Sequence, residues 1–375
     1  MRIGVNTRLF VKGKMDGIAW YACEILKRMV QANPEHEFVF FFDRKPNEEF
    51  IFAPNVKPVV VYPQARHPFL WILFFEAGIK RALKREKIDV FFSPDGWLCL
   101  GTKVKTLAVI HDLNFVHYPK FRPFLVREYY RFFFPRFAHR ADALATVSLF
   151  SKNDIIQSYG VDPQKITIAY NGVSEKFFEI PQEEKKQFRN TLTGGTPYFV
   201  FVGTANRRKN IIRILNAFEQ FRKNGNEAKL VFAGMNKYWD NDMRLVLKRM
   251  QFFNDIVFTG YIPTAELNRV LASSLALVYT SLFEGFGVPV LEAFACGVPV
   301  ITSRVTSMPE VASDAALLVD PFSVDEIVQA MESLYKDEHL RNQLILKGKE
   351  RVKLFTWEKP AEDLWKVIER LGSIS

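Results

Sequence analysis

Residues 275–302, LALVYTSLFEGFGVPVLEAFACGVPVIT, decide the fold. The apolar run Leu275–Tyr279 reads as a strand, a turn bearing Glu284, Gly285 and Gly287 follows it, and Val300–Thr302 begins a second strand. A helix fits between them. Pro289 suits a first helical turn, where its missing N–H costs nothing, and Gly297 followed by Pro299 closes the element. Both strands are continuously apolar rather than alternating, which predicts a parallel sheet buried on both faces.

The same rhythm runs along the chain. Apolar runs recur at residues 2–5, 38–42, 59–62, 90–93, 107–110, 143–147, 166–168, 198–202, 230–233, 256–259, 275–279, 300–302 and 316–319. Helical patterns separate most of them, for example at 17–31, 211–223 and 264–273. The stretch 175–196, rich in Glu, Lys and Gln and ending in Gly194-Gly195, breaks the alternation and places a domain boundary near 172–197. The expected fold class is α/β: two doubly wound, Rossmann-like domains (1–175 and 197–355) whose parallel sheets face across a cleft, with ligands at the carboxyl ends of the strands. No Gly-x-Gly-x-x-Gly follows the first strand, which disfavours a dinucleotide dehydrogenase.

The chemistry concentrates at strand ends. Glu284 lies in the turn before the helix and Glu292 on its second turn, inside the apolar run Val288–Cys296. Gly285 and Gly287 let backbone approach a ligand, and the helix start presents free N–H groups. Two carboxylates so placed can grip a polyhydroxylated, negatively charged ligand from both ends, which points to sugar nucleotides. A surface loop followed by a solvated helix glutamate is the other reading of these residues. After the run 198–202 comes Gly203-Thr204-Ala205-Asn206-Arg207-Arg208-Lys209-Asn210, a cationic loop leading into a helix and suited to phosphate. His111 and Asp112 follow the run 107–110, where an imidazole can exchange a proton near neutral pH. Gly17, after the flexible 12–16 stretch, would let a loop approach the same ligand. Asp240-Asn241-Asp242 could be a metal-binding pair but reads better as a helix-start loop, and Ser148 as the cap of a helix.

Bulk properties narrow the partners. The 375 residues are 48% hydrophobic and 25% charged, with a net charge of +10, so an anionic partner is expected. Lys80, Arg81, Lys84, Arg85 and Lys87 follow the aromatic stretch 67–75, and Lys120, Arg122, Arg127, Arg131, Arg136 and Arg140 interleave with Phe124, Tyr129, Tyr130, Phe132, Phe133, Phe134 and Phe137. That mixture suits an anionic membrane surface; an aromatic core face with a solvated cationic face is the other reading. No nucleic-acid module accompanies the charge, so nucleic acid is not expected. The apolar stretch 69–79 contains Glu76 and is too short to span a bilayer. Cys23, Cys99 and Cys296 are widely spaced in apolar contexts, and the opening residues already read as a strand. A cytoplasmic protein without a signal peptide is expected.

Taken together, Gly203 with Arg208-Lys209-Asn210, Glu284-Gly285-Phe286-Gly287 with Pro289 and Glu292-Ala293, and Gly297-Val298-Pro299-Val300 resemble the retaining glycosyltransferase family 4, of the GT-B fold. Further matches are Ile110-His111-Asp112, Val147-Ser148 with Ser151, Asn171-Gly172-Val173, Met308-Pro309-Glu310-Val311 and Phe355-Thr356-Trp357-Glu358. They extend the resemblance over the whole chain, including a final helix (356–375) that crosses back to the first domain. The resemblance implies transfer of a hexosyl unit from a UDP or GDP sugar to a saccharide or lipid-linked acceptor in cell-envelope polysaccharide, lipopolysaccharide or glycolipid synthesis. It implies no metal and no cofactor beyond the donor itself. Arg208 and Lys209 would hold the diphosphate and Glu292 the ribose. Glu284, with Gly285, Phe286, Gly287 and Val288, would meet the sugar, and Tyr261 and Ile262 the base. Gly17, Gly203 and Thr204 would complete the donor site, with His111 near the anomeric carbon. Front-side displacement through an oxocarbenium-like state is the expected route, the leaving phosphate taking the acceptor's proton. Many members carry Arg directly after the phosphate-loop glycine; here that position is Thr204, so Arg207 or Arg208 would compensate. A sugar-nucleotide epimerase or hydrolase of the same fold, or a basic binding protein, are the alternatives.

Overall fold

The structure, a computed structural model, describes residues 1–121, 123–234 and 239–373. It divides into two compact units, Met1–Asn171 with Thr356–Ser375, and Gly172–Phe355. The first unit carries seven strands: β1 (Arg2–Asn6), β2 (Glu37–Phe42), β3 (Val56–Val60), β4 (Val90–Ser93), β5 (Lys105–Val109), β6 (Ala143–Thr146) and β7 (Ile166–Ile168). The second carries six: β8 (Tyr198–Val202), β9 (Lys229–Ala233), β10 (Ile256–Gly260), β11 (Ala276–Tyr279), β12 (Val300–Ser303) and β13 (Leu317–Val319).

Every strand pair is parallel. The orders are β3-β2-β1-β4-β5-β6-β7 and β10-β9-β8-β11-β12-β13. In each sheet the order reverses once, between β1 and β4 and between β8 and β11. Adjacent loops diverge to opposite faces at such a point and leave a crevice at the carboxyl strand ends. The thirteen apolar runs all become strands, because the central ones bury every side chain, as in β4, β6, β8, β11 and β12. β3 starts earlier than its apolar run predicts. It is an edge strand that exposes Lys57 and Pro58, and an edge tolerates proline's missing donor.

The polar segment 175–196 carries a helix, Gln182–Thr193, which belongs to the second unit. Glu183 and Glu184 in its first turn complement the dipole, and Gly194 in the left-handed region ends it. The closing helix, Glu358–Gly372, buries Leu364, Trp365, Val367, Ile368 and Leu371 in the first unit, and Glu358 accepts from Arg28 at 2.8 Å.

The basic aromatic stretches are split between core and surface. In the helix Phe124–Arg140, Tyr129, Phe134 and Phe137 are buried, whereas Phe124, Leu125, Arg131, Phe132 and Arg136 are exposed. Upstream, Phe74 and Phe75 are buried, while Phe69, Leu73, Lys80 and Arg81 are exposed. The aromatic core face is thus present, and exposed aromatics share the outer face with exposed cations. Arg122 lies outside the described residues. Among the described residues no helix is long and apolar enough to cross a membrane.

Candidate functional site

The loop after β8 is shaped by its backbone. Gly203 has φ +127°, and a Cβ on the facing Gly234 would fall 2.2 Å from the Gly203 carbonyl oxygen, so the loops after β8 and β9 approach as only glycine permits. Arg207–Lys209 then form one 3₁₀ turn, capped by the Asn206 side chain, which accepts from the Lys209 amide at 3.2 Å. Asn210 adopts φ +61° and donates its side-chain amide to the carbonyls of Thr280 (3.0 Å) and Pro321 (2.6 Å). The helix Ile211–Lys223 follows. The cationic loop is thus fastened to the loop after β11, its neighbour across the strand-order reversal.

The three cations diverge. Arg207 turns outward to Asp240 and, at 2.6 Å, to Asp242. Asp240 also accepts from the Met243 amide at 3.0 Å as the cap of the helix Asn241–Arg249, so the Asp-x-Asp segment is a helix start engaged by an arginine. Arg208 and Lys209 turn inward onto Glu284: Arg208 Nη1 lies 2.8 Å from Oε2 and Lys209 Nζ 2.6 Å from Oε1. Arg208 donates at 2.6 Å to the Phe283 carbonyl, and its own carbonyl accepts from the Leu282 amide at 2.8 Å. Lys209 also bonds the Tyr279 hydroxyl and lies 4.4 Å from that ring's centroid. Of the two arginines that could compensate for Thr204, only Arg208 points into the site.

Burial would raise the Glu284 carboxyl, but Arg208 and Lys209 outweigh it and hold the group at about 2. Burial, and next the Glu284 charge, push the Tyr279 phenol up, so it stays protonated as a donor. The family resemblance gives Glu284 and the two cations separate tasks; the structure joins them in one ion triad, with Tyr279 bonded to Lys209. Tyr279 had escaped notice because it reads as one more apolar residue of β11, although its position as the last residue of that strand was available as a signal.

Glu292 is different. It sits half-buried on the helix Val288–Ala295, and among the described residues no hydrogen bond or ion pair engages its carboxylate. Burial pushes it up to about 7. Its charge is felt at Tyr279, which puts it near the triad. Gly287, at φ +103°, starts the helix, and a Cβ there would lie 2.4 Å from Met308 Cε. Gly285 and Phe286 form the turn before it, with Phe286 buried and its carbonyl accepting from Ser307 Oγ at 3.1 Å. Val288 and Pro289 open the first helical turn. Tyr261 is exposed and Ile262 half-buried beyond the end of β10.

In the first unit, His111 follows β5. Its Nε2 lies 2.8 Å from the Pro94 carbonyl and its ring packs edge-on to Tyr21 at 4.8 Å. Burial lowers its pKa, which favours a neutral ring. A carbonyl can only accept, so Nε2 carries the proton and Nδ1 keeps its lone pair. Gly17 begins the helix Gly17–Ala32, capped by Asp16, and a Cβ there would meet nothing within 4 Å. The fold itself places no demand for glycine at that position. Ser148 accepts from the Ser151 amide at 3.0 Å, a helix cap as expected. Sequence reasoning overlooked Asn6, Arg8, Asp95 and Trp97, which meet at the ends of β1 and β4; the strand-end position of Asn6-Thr7-Arg8 and of Ser93-Pro94-Asp95 was the available signal.

Two doubly wound, parallel, Rossmann-like units are the building blocks of the GT-B fold, the class of this protein. Sucrose-phosphate synthase from Thermosynechococcus elongatus superimposes with a TM-score of 0.81 at 19% identity, over 100% of both chains. Anabaena HepE in complex with UDP-glucose gives 0.76 at 14% identity, over 99% of this chain and 100% of that one. The sequence profile described as Glycosyl transferases group 1 matches residues 182–351, and that described as Glycosyltransferase Family 4 matches residues 15–177. The O-antigen chain mannosyltransferase B of Escherichia coli is 27% identical over 361 residues, 93% of this chain and 94% of its relative. The chain belongs to the group 1, family 4 glycosyltransferases, and it is a glycosyltransferase.

Removing one member of a buried ion cluster strands the others without compensation. Glu284→Gln is therefore expected to lower unfolding free energy by about 3–5 kcal/mol, read by urea denaturation near pH 7. Because the folded carboxyl is held below its unfolded value, this contribution is present above pH 4.5 and fades as pH falls toward 2. A loss under about 1 kcal/mol, the range of exposed pairs, contradicts a buried triad.

Proposed function

We propose that the protein is a retaining, metal-independent hexosyltransferase that moves a hexosyl unit from a UDP or GDP sugar to a saccharide or lipid-linked acceptor in cell-envelope polysaccharide synthesis. The observation that carries this reading is that the half-buried Arg208 and the buried Lys209 stand at the same strand-order reversal as an unpartnered carboxylate, Glu292. The cations suit a diphosphate and the carboxylate suits the vicinal hydroxyls of ribose. Both resemble the family's pattern. The O-antigen mannosyltransferase relative supports a mannosyl donor and an envelope polysaccharide product, and the UDP-glucose complex of HepE supports a nucleotide-sugar donor. These relatives favour transfer over epimerisation or simple hydrolysis.

In this mechanism Arg208 and Lys209 hold the donor diphosphate, and Glu284 keeps both aimed while remaining near the sugar. Gly203, Thr204, Gly285, Phe286, Gly287 and Val288 give the donor close backbone contact, with Tyr261 and Ile262 at the base; Gly17 is assigned to the donor by the resemblance alone. The anomeric C–O bond to phosphate breaks as the two cations stabilise the growing phosphate charge, a task a divalent metal performs elsewhere. The acceptor oxygen attacks from the same face and its proton passes to the departing phosphate, so configuration is kept. The resemblance assigns His111 to the reacting carbon, and a neutral imidazole suits that post. Exposed Phe69, Phe124, Leu125 and Phe132, carried on segments with exposed Lys80, Arg81, Arg131 and Arg136, support docking on the anionic inner face of the cytoplasmic membrane.

Three outcomes are expected. Incubation with GDP- and UDP-hexoses, mannose first, and a saccharide acceptor in the presence of EDTA yields a glycoside with the donor's anomeric configuration by NMR; free hexose alone, an inverted product, or loss of turnover in EDTA counts against the mechanism. Donor binding requires Glu292 as the carboxylate, which is protonated below about 7. Affinity should therefore rise roughly tenfold from pH 6 to pH 8 in the wild type, a dependence that Glu292→Gln removes. An identical pH profile in both proteins would detach Glu292 from the ribose. Finally, vesicles rich in anionic lipid should sediment the protein better than zwitterionic ones, and Phe69→Ser with Phe124→Ser should reduce that several-fold; equal binding to both vesicle types would argue against the membrane face.

A further inference from the structure

The first unit holds a second arginine anchored by a carboxylate, which neither the donor site nor the membrane face uses. Arg8 follows β1, and Asp95 follows β4, so the pair sits at the strand-order reversal of the first sheet. Arg8 Nε donates to Asp95 Oδ2 at 2.8 Å, with the two side chains only 10% and 4% exposed. The other oxygen of Asp95 accepts from Asn6 Nδ2 (2.7 Å), Ser93 Oγ (3.0 Å) and the Trp97 amide (3.3 Å). The guanidinium carbon lies over Trp97, 4.2 Å from its ring centroid, and 5.9 Å from that of Phe75. Tyr129 stacks on Trp97 at 5.0 Å.

This arrangement fixes an arginine without using it up. Asp95 takes only the Nε edge, and among the described residues neither Nη1 nor Nη2 meets an acceptor. The Tyr129 hydroxyl likewise has no partner among them, and its ring packs on the same Trp97 that Arg8 contacts. Burial pushes that phenol up, so it remains a donor. The nearby Glu76 is committed to the amides of Leu100 (2.6 Å) and Gly101 (3.0 Å) and does not close the site. A nine-tenths buried guanidinium that keeps two forked donors open, over an aromatic floor, matches the geometry of a phosphoryl group. It also adjoins His111: Pro94, whose carbonyl holds the His111 ring, precedes Asp95.

We propose that Arg8, positioned by Asp95 and Trp97 and assisted by the Tyr129 hydroxyl, binds a phosphoryl group of the acceptor. The inference rests on the transferase reading above and narrows its acceptor to a phosphorylated one. Two experiments decide it. In the first, inorganic pyrophosphate is titrated calorimetrically with UDP and GDP both saturating, so that the donor site is filled. Wild-type protein should bind it, Arg8→Ala should weaken binding by about tenfold or more, Arg8→Lys less, and Tyr129→Phe a few-fold. Affinity unchanged by Arg8→Ala overturns the proposal, whereas absence of nucleotide binding by the wild type would instead count against the donor assignment. In the second, turnover is compared between an alkyl diphosphate-linked mannose, mannose 1-phosphate and an alkyl mannoside. The wild type should prefer phosphorylated acceptors, and Arg8→Lys and Tyr129→Phe should each erode that preference ratio. A better alkyl diphosphate than mannose 1-phosphate assigns the phosphoryl group to a lipid linkage, and the reverse assigns it to a free sugar phosphate. Equal loss on all three acceptors means that Arg8 only supports the fold and overturns the proposal.

Discussion

The buried contact of Glu284 with Arg208 and Lys209 organises the second unit's functional end. Desolvating three charges is unfavourable unless each finds its partners, and here the surroundings supply them: the Phe283 carbonyl for Arg208, the Tyr279 hydroxyl for Lys209. The same contact ties the loop after β8 to the loop after β11. In the proposed donor site this tie is decisive, because the cations proposed for the phosphates come from one loop and the carboxylates proposed for sugar and ribose follow the other. Asn210 repeats the tie through the backbone, bonding Thr280 and Pro321. The triad carries net positive charge, which leaves it attractive to a diphosphate after Glu284 has taken its share.

Both units solve the same problem in one way. At each strand-order reversal a carboxylate holds an arginine: Glu284 on Arg208 in one, Asp95 on Arg8 in the other. A lone arginine on a loop would lose rotamer entropy on meeting a ligand, and a carboxylate that fixes it beforehand removes that cost at binding. The difference lies in what else is present. The second unit adds Lys209 and the unpartnered Glu292, which suit the proposed nucleotide diphosphate. The first adds an aromatic floor of Trp97 and Tyr129 and the neutral ring of His111.

Much of this was legible in the sequence, for a physical reason. Parallel strands buried on both faces must be continuously apolar, so each of the thirteen strands announced itself, β3 only in part because an edge strand exposes half its length. Glu292 stood out as a carboxylate in an apolar run, and the cationic loop as three charges before a helix. Pairing was not legible. Nothing in the order Arg207-Arg208-Lys209 says that the first turns out to Asp240 and Asp242 while the next two turn in; a 3₁₀ turn and an Asn210 in the left-handed region decide it. Nor could Arg8 and Asp95 be joined from the sequence, since 87 residues separate them and only the β1–β4 neighbourhood brings them together. The polar segment 175–196 concealed a helix because its exposed face dominates its composition.

The central claim is that the cations held by Glu284 bind the donor's diphosphate. Calorimetric titration of UDP and GDP into the wild type and into Lys209→Ala at pH 8, with circular dichroism confirming that the variant is folded, tests it most directly. Tight binding of one nucleotide by the wild type, weakened by about a hundredfold in the variant, is the predicted result. A folded Lys209→Ala variant that binds the same nucleotide with undiminished affinity would contradict the account.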